Sequence, residues 1–171
     1  MKRISIIGSG GSGKSTLAVR LGAKLQVPVY HLDALYWKPG WVETDKDEWA
    51  KLQQSICEKP SWIMDGNYGG TVNTRLNTSD TVIFLDINRY LCLYRAVKRT
   101  IAFRGRSRPD MGSGCNEKLD LKFIQWIYGY PKSRKPKVLE KLASLNDNMK
   151  VYVLKNERDI EHFFKEIEDA R

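Results

Sequence analysis

The sequence predicts an α/β fold in three layers, with a five-stranded parallel sheet covered by helices on both faces. Three observations carry that expectation. Short runs such as Arg3–Ile7 and Asp80–Asp86 are apolar and β-branched, the composition of strands buried on both sides. Stretches with apolar residues at helical spacing separate these runs, and the two patterns alternate along the chain. With 171 residues, 42% of them apolar and 29% charged, the chain can bury one core and lacks the composition of a disordered segment.

Each element has its own signal. Arg3–Ile7 is the first strand, closed by Gly8, and Ser15–Gln26 follows as a helix with Leu17, Leu21 and Leu25 on one stripe and Pro28 ending it. Val27–Leu32 reads as the second strand. Thr44-Asp45-Lys46-Asp47 resembles a capping box, after which Trp49, Leu52 and Ile56 repeat at helical spacing until Lys59-Pro60. Ser61–Asp65, closed by Gly66-Asn67, is the third strand, and Asp80–Asp86 is the fourth. A helix is predicted from Asn88 to about Phe103, with Tyr90, Leu93, Val97 and Ile101 as its inner stripe and Asp86 as an N-terminal cap. The glycine-rich, basic segment Arg104–Gly114 reads as a loop. Leu119, Phe123 and Ile127 mark a helix that Pro131 interrupts, and Val138, Leu139, Leu142 and Leu145 mark its continuation. Lys150–Leu154 is the fifth strand, and Ile160, Phe163, Phe164 and Ile167 are the inner face of a terminal helix. With no repeat and no linker, the expectation is a single domain over 1–171, with a short insert at 34–60 and a mobile lid at 104–118.

Charge and cysteine usage narrow the partners. There are 29 Lys and Arg against 20 Asp and Glu, a net +9 that favours an acidic partner: nucleic acid, an anionic surface or a small polyphosphate. Six basic residues and no acidic one lie between Arg95 and Arg108; a second run, Lys132, Arg134, Lys135, Lys137 and Lys141, includes only Glu140. Cys57, Cys92 and Cys115 are far apart, which excludes a disulfide framework and a four-cysteine zinc site. Cys57 and Cys92 fall on apolar stripes, and neither His31 nor His162 has a partner cluster. No apolar run approaches the ~18 residues of a membrane span and none resembles a signal peptide, so a cytoplasmic protein with no membrane partner is expected.

The sharpest signal is Gly8-Ser9-Gly10-Gly11-Ser12-Gly13-Lys14-Ser15, followed by Thr16. It fits G-x-x-x-x-G-K-[ST] between a predicted strand and a predicted helix. Glycines let successive backbone N–H groups ring a phosphate, and the helix adds its unpaired N-terminal N–H groups and positive dipole end. In such a loop Lys14 would reach the β- and γ-phosphates and the Ser15 hydroxyl would ligate Mg²⁺. The loop reads as a nucleotide-binding P-loop, and the fold becomes the three-layer P-loop NTPase fold with a basic lid. An acidic residue at a neighbouring strand end is then needed near the metal, and Asp33, Asp65 and Asp86 are the three that end strands.

Trp62-Ile63-Met64-Asp65-Gly66 resembles the strand-Asp-Gly element of adenylate kinase and its relatives, and Asp80–Arg99 resembles the strand and helix leading to their lid. The short insert is more like that of shikimate and gluconate kinases. Leu32-Asp33-Ala34-Leu35-Tyr36-Trp37, Asp65-Gly66-Asn67-Tyr68 and Arg108-Pro109-Asp110-Met111 are similar to the bacterial DNA topology modulation proteins, over nearly the whole chain. This resemblance implies that Asp65 holds the magnesium shell through water, the alternative being a strand-end turn cap. Asp33 either takes a proton from a substrate hydroxyl or orients the substrate, or else caps the next segment. Arg95 and Arg99, one helical turn apart, are a solvated basic face or, as the resemblance implies, phosphate contacts. Arg104, Arg106 and Arg108 suit a lid over the nucleotide, with Arg134 from its far side.

After Gly66 the chain departs from the adenylate kinase pattern: it reads Asn67-Tyr68-Gly69-Gly70-Thr71, with Arg75 the nearest basic residue for an acceptor's phosphate. Asn67 and Tyr68 suit a polyol, a sugar or a turn. Tyr36, Trp37 and Trp41 are either a substrate wall or the insert's own small core. Asn156, after the fifth strand, stands where the resemblance places the adenine. The function expected is an ATP- and Mg-dependent phosphotransferase on a small-molecule acceptor, like the nucleoside monophosphate kinases. The alternative is a nucleotide-dependent DNA-binding topology regulator; nucleic acid is the less favoured partner, because no recognition helix or aromatic-interleaved face is apparent.

Overall fold

The apolar run at the N-terminus pairs on both sides, which makes it the centre of the sheet. In the computed structural model, which describes residues 1–108, 110–118, 120–146 and 148–169, β1 (Arg3–Gly8) lies between β5 (Trp62–Asp65) and β6 (Thr81–Leu85). With β2 (Val29–His31) and β7 (Lys150–Leu154) on the outside, the parallel order is β2-β5-β1-β6-β7. All five predicted strands are present. Leu119, expected to open a helical stripe, and Pro109 lie outside the described residues.

The two-residue period of the strands sorts the core into two faces. Ile4, Ile6, Ile83 and Leu85 point to one side, where α1 (Lys14–Leu25) brings Leu17 and Leu21 and α8 (Glu157–Asp169) brings Ile160, Phe163, Phe164 and Ile167. Ile7, Val82 and Phe84 point to the other, against Val72 and Leu76 of α4 (Val72–Thr78) and, from α7 (Lys135–Ala143), Val138 and Leu142. A third cluster, Leu32, Trp49, Ile56, Cys57, Trp62 and Met64, fixes α3 (Lys46–Cys57). All three cysteines are buried and unpaired.

Several expectations are corrected. Leu32 ends no strand; it opens a short helix, α2 (Leu32–Tyr36), which runs into a hairpin of β3 (Trp37–Lys38) and β4 (Val42–Glu43). The cap of α3 is Asp45, whose Oδ1 accepts from the N–H groups of Asp47 and Glu48, while Thr44 Oγ1 donates to Tyr36 O. The cap of α5 (Arg89–Ala102) is Asn88 accepting from Tyr90 N; Asp86 instead accepts from Lys135 Nζ at 2.7 Å. Within α5 the buried residues are Cys92 and Ala96; of the predicted stripe Leu93 packs half-buried on the core, while Tyr90, Val97 and Ile101 are exposed. Pro131 lies inside its helix, α6 (Leu121–Ser133), which ends two residues later, so the break before α7 falls at Arg134.

Candidate functional site

The ends of β1, β2 and β5 converge, and a parallel sheet assembles ligand sites at the carboxyl ends of its strands, where the strand order reverses. The Gly8–Ser15 loop leaves β1 there and enters α1 at Lys14, with Gly13 in a left-handed conformation. Gly11 has φ +72° and lies so close to α5 that an added Cβ would stand 2.2 Å from Cys92 O, so only glycine fits. The loop is thus clamped under α5 as well as tied to β1. From the opposite side Asn67 holds it, donating through Nδ2 to Gly8 O (2.8 Å) and accepting at Oδ1 from Gly8 N (3.2 Å).

Inside the loop, Lys14 Nζ donates to Ser9 O at 2.8 Å, and burial pushes the Lys14 ammonium pKa down. The hydroxyls of Ser9 and Ser12 are buried without a hydrogen-bond partner among the described residues. Donors left unmet around a buried ammonium form a cradle suited to an anion with several acceptor oxygens. Thr16, next in sequence, is exposed at the start of α1.

Ser15 and Asp65 meet beside this cradle: Ser15 Oγ donates to Asp65 Oδ2 at 2.8 Å. The other oxygen, Oδ1, is 2.6 Å from His31 Nδ1. Parallel register explains the second contact, because His31 and Asp65 are Cα partners on β2 and β5. The Asp65 hydrogen bond raises the pKa of His31 above its ordinary 6.5, against the lowering effect of burial. His31 is the residue that sequence reasoning missed. Its signal was a histidine ending one strand and an aspartate ending another, and only the pairing order makes them neighbours.

Asp33, exposed in the first turn of α2, accepts from Tyr68 OH at 2.7 Å. Tyr68 has φ +20° and packs within 5 Å of Tyr36 and Trp49, while Trp37 stacks edge-on against both Tyr36 and Trp41. The insert's aromatics therefore form a packed cluster that walls the space next to Asp33. Burial and the adjoining Asp33 carboxylate push the Tyr68 pKa up, which keeps the phenol a donor.

The arginines divide. Arg95 lies beside Gly13, 3.8 Å from Glu157 Oε2, and Arg99 lies on the last turn of α5, 3.4 Å from Glu117 Oε1. Arg108 is buried against Glu117 and Asp110. Arg134 is exposed at the junction of α6 and α7. Arg75 requires a correction: it is wholly buried and donates to Gly66 O and Asn67 O at 3.0 Å each, so it has no surface to offer an acceptor's phosphate. Its role is to hold the turn that carries Asn67 and Tyr68. Asn156 accepts from Asp159 N at 3.0 Å and so caps α8.

A magnesium ion bound with nucleotide takes one or two protein oxygens and completes its shell with phosphate and water. The hard-oxygen pair Ser15 and Asp65 fits that requirement. No cluster of three or more His, Cys, Asp or Glu able to cage a metal occurs among the described residues.

No family model and no curated protein matches the sequence. Solved structures do match the fold. A shikimate kinase from Acinetobacter baumannii in complex with shikimate superposes with a TM-score of 0.64 at 14% identity, covering 99% of this chain and 92% of that one. A shikimate kinase from Bacteroides thetaiotaomicron gives 0.54 at 18% identity, covering 99% and 97%. An uncharacterized protein from Eubacterium ventriosum gives 0.54 at 16%, covering 98% of each chain. At these identities the likeness establishes the P-loop kinase fold.

Proposed function

We propose that this chain is an ATP- and Mg-dependent phosphotransferase acting on a small-molecule acceptor. The observation that carries the reading is the Ser15–Asp65 contact of 2.8 Å beside a glycine-rich loop on which the Lys14 ammonium and the Ser9 and Ser12 hydroxyls converge. The kinase fold of the structural neighbours, the nucleoside monophosphate kinase pattern around Asp65 and the resemblance to the topology modulation proteins support it.

In this reading Gly8–Thr16 bind the triphosphate, with Lys14 at the β- and γ-phosphates, Arg95 and Arg99 on its flank and Asn156 near the base. Ser15 and Asp65, the latter held by His31, would hold Mg²⁺, which supplies charge neutralisation at the β- and γ-oxygens. Asp33 orients the acceptor hydroxyl and takes its proton as the oxygen–phosphorus bond forms and the bond from γ-phosphorus to the β-phosphate oxygen breaks, leaving ADP. The insert and the 104–118 lid exclude water, so that ATP is not hydrolysed instead.

A DNA-binding regulator would need a continuous basic face, and in the second basic run Lys135 is paired with Asp86, which breaks that run's free charge at its middle. No described helix is long and apolar enough to cross a membrane, and ATP dependence fits a cytoplasmic setting. The test is ADP release with Mg·ATP over a panel of acceptors, with Lys14→Ala as control. Stimulation by one acceptor class, lost in the variant, is expected; uniform slow hydrolysis across the panel would sink the reading.

A further inference from the structure

Two guanidiniums meet three carboxylates beside the proposed acceptor position. Glu117 is buried between Arg99 and Arg108, its Oε1 3.4 Å from Arg99 Nε and 2.5 Å from Arg108 Nε. Arg108 also reaches Asp110 Oδ2 at 3.1 Å. Arg108 is therefore neutralised from within, while Arg99 shares Glu117 with it. Asp33 is different: it is exposed, its hydrogen bond comes from Tyr68 OH to Oδ1, and among the described residues no cation pairs with it. A Cβ added at Gly112, two residues beyond Asp110, would stand 3.2 Å from Ala34 O, so this segment lies alongside the helix that carries Asp33. Of the other cations near Asp33, Lys14 is bound to Ser9 O in the phosphate loop, His31 is bound to Asp65, and Arg75 is sealed under the Gly66–Asn67 turn.

Building on the phosphotransferase reading, we infer that the acceptor is an uncharged or cationic polyhydroxyl compound bearing no phosphate or carboxylate, selected by the Asp33–Tyr68 pair. An anionic acceptor at Asp33 would set like charges a few ångströms apart, while Lys14 and Arg99 serve the triphosphate, Arg108 is held by Glu117 and Asp110, and Arg75 is buried. A hydroxyl meets the opposite situation. It donates a charge-assisted hydrogen bond to Asp33 Oδ2, while Tyr68 fixes the carboxylate through Oδ1. An ammonium gains more from the same group. The rings of Tyr36 and Tyr68, 4.8 Å apart, give the apolar face of a sugar or a base a surface to lie on.

The test reads binding apart from turnover, through quenching of the insert's Trp37, Trp41 and Trp49. With Mg·ADP saturating the P-loop, thymidine is compared with thymidine monophosphate, and glucosamine with gluconate; ADP release with Mg·ATP is then followed on the same panel. At least one neutral or cationic member is expected to bind tenfold or more tightly than its anionic counterpart. Asp33→Asn should remove that preference with the thermal midpoint unchanged, since the side chain is exposed. Glu117→Gln, by releasing Arg99 and Arg108, should narrow the gap from the anionic side. Equal or tighter binding of the anionic member, or turnover of it, overturns the inference and leaves the phosphotransferase reading standing. Absence of binding by every neutral and cationic member also overturns it. Failure of the parent reading looks different: a fluorescent ATP analogue would bind wild type and Lys14→Ala alike.

Discussion

At Asp65 a loop and two strands deliver their chemistry to one carboxylate, Ser15 on Oδ2 and His31 on Oδ1. The His31 pKa is raised in the folded state, so the contact stabilises the protonated ring. Its contribution is therefore fully present below the unfolded value near 6.5 and is lost as pH rises through the higher folded value. His31→Asn should lower the urea midpoint most at pH 5.5 and least at pH 8.5; a pH-independent deficit would mean that the ring acts only by packing. Arg75 makes a second residue-scale prediction. Burial lowers its pKa to about 10, and its guanidinium is the partner of two turn carbonyls. Arg75→Met leaves both unmet in the interior and should cost about 3 kcal/mol in urea denaturation; an unchanged midpoint with weakened acceptor binding would return Arg75 to the surface role that its sequence position suggested. The P-loop and Asp65 were legible because their spacing is local or closes a strand. His31 was not, since its partner is 34 residues away and only strand order brings it near.

Among the elements, α5 shows how a size-based stripe misleads. Tyr90, Val97 and Ile101 are the large apolar residues at helical spacing, yet they face solvent. What α5 must do is lie against the backbone of the phosphate loop, and that approach admits only small side chains, Cys92 and Ala96, on the inner side. Periodicity alone weighs large residues most, so its stripe caught Leu93, which packs on the core, and missed the small residues that α5 buries. Ala96→Leu should therefore overpack the α5 contact and cost ~1–3 kcal/mol, with weaker binding of an ATP analogue, whereas Ile101→Ser should stay within about 0.5 kcal/mol of wild type. Reversal of that order in thermal denaturation would restore the predicted stripe. The terminal helix is the opposite case: Ile160, Phe163, Phe164 and Ile167 are all buried, because α8 packs on a sheet face rather than on backbone and large residues are what fills that space.

Across the whole molecule, the segment expected to move as a lid is joined to the insert expected to bind the acceptor. Gly40 N donates to Gly114 O and Trp41 Nε1 to Asn116 O, both at 3.0 Å, and Cys115 Sγ points at Lys38 O. Gly112 lies where an added Cβ would stand 3.0 Å from Trp37 O and 3.2 Å from Ala34 O, a tight approach with little room for a branched side chain. Neither segment's composition revealed this, since the contacts run between loop backbones that carry no periodic signal. The expected consequence is mechanical: in the phosphotransferase reading, the lid with Arg99 and Glu117 and the insert beside Asp33 should close as one body. Gly112→Val should undock that body without touching the loop at Gly8–Ser15. Hydrogen exchange is then expected to quicken in both 37–43 and 104–118 while 150–169 stays as protected as before. ATP hydrolysis in the absence of acceptor should rise by several fold, because a site closed from one side only admits water. Faster exchange confined to 104–118, with the insert unchanged, would show that the lid moves alone and that the two sides are not coupled through these contacts.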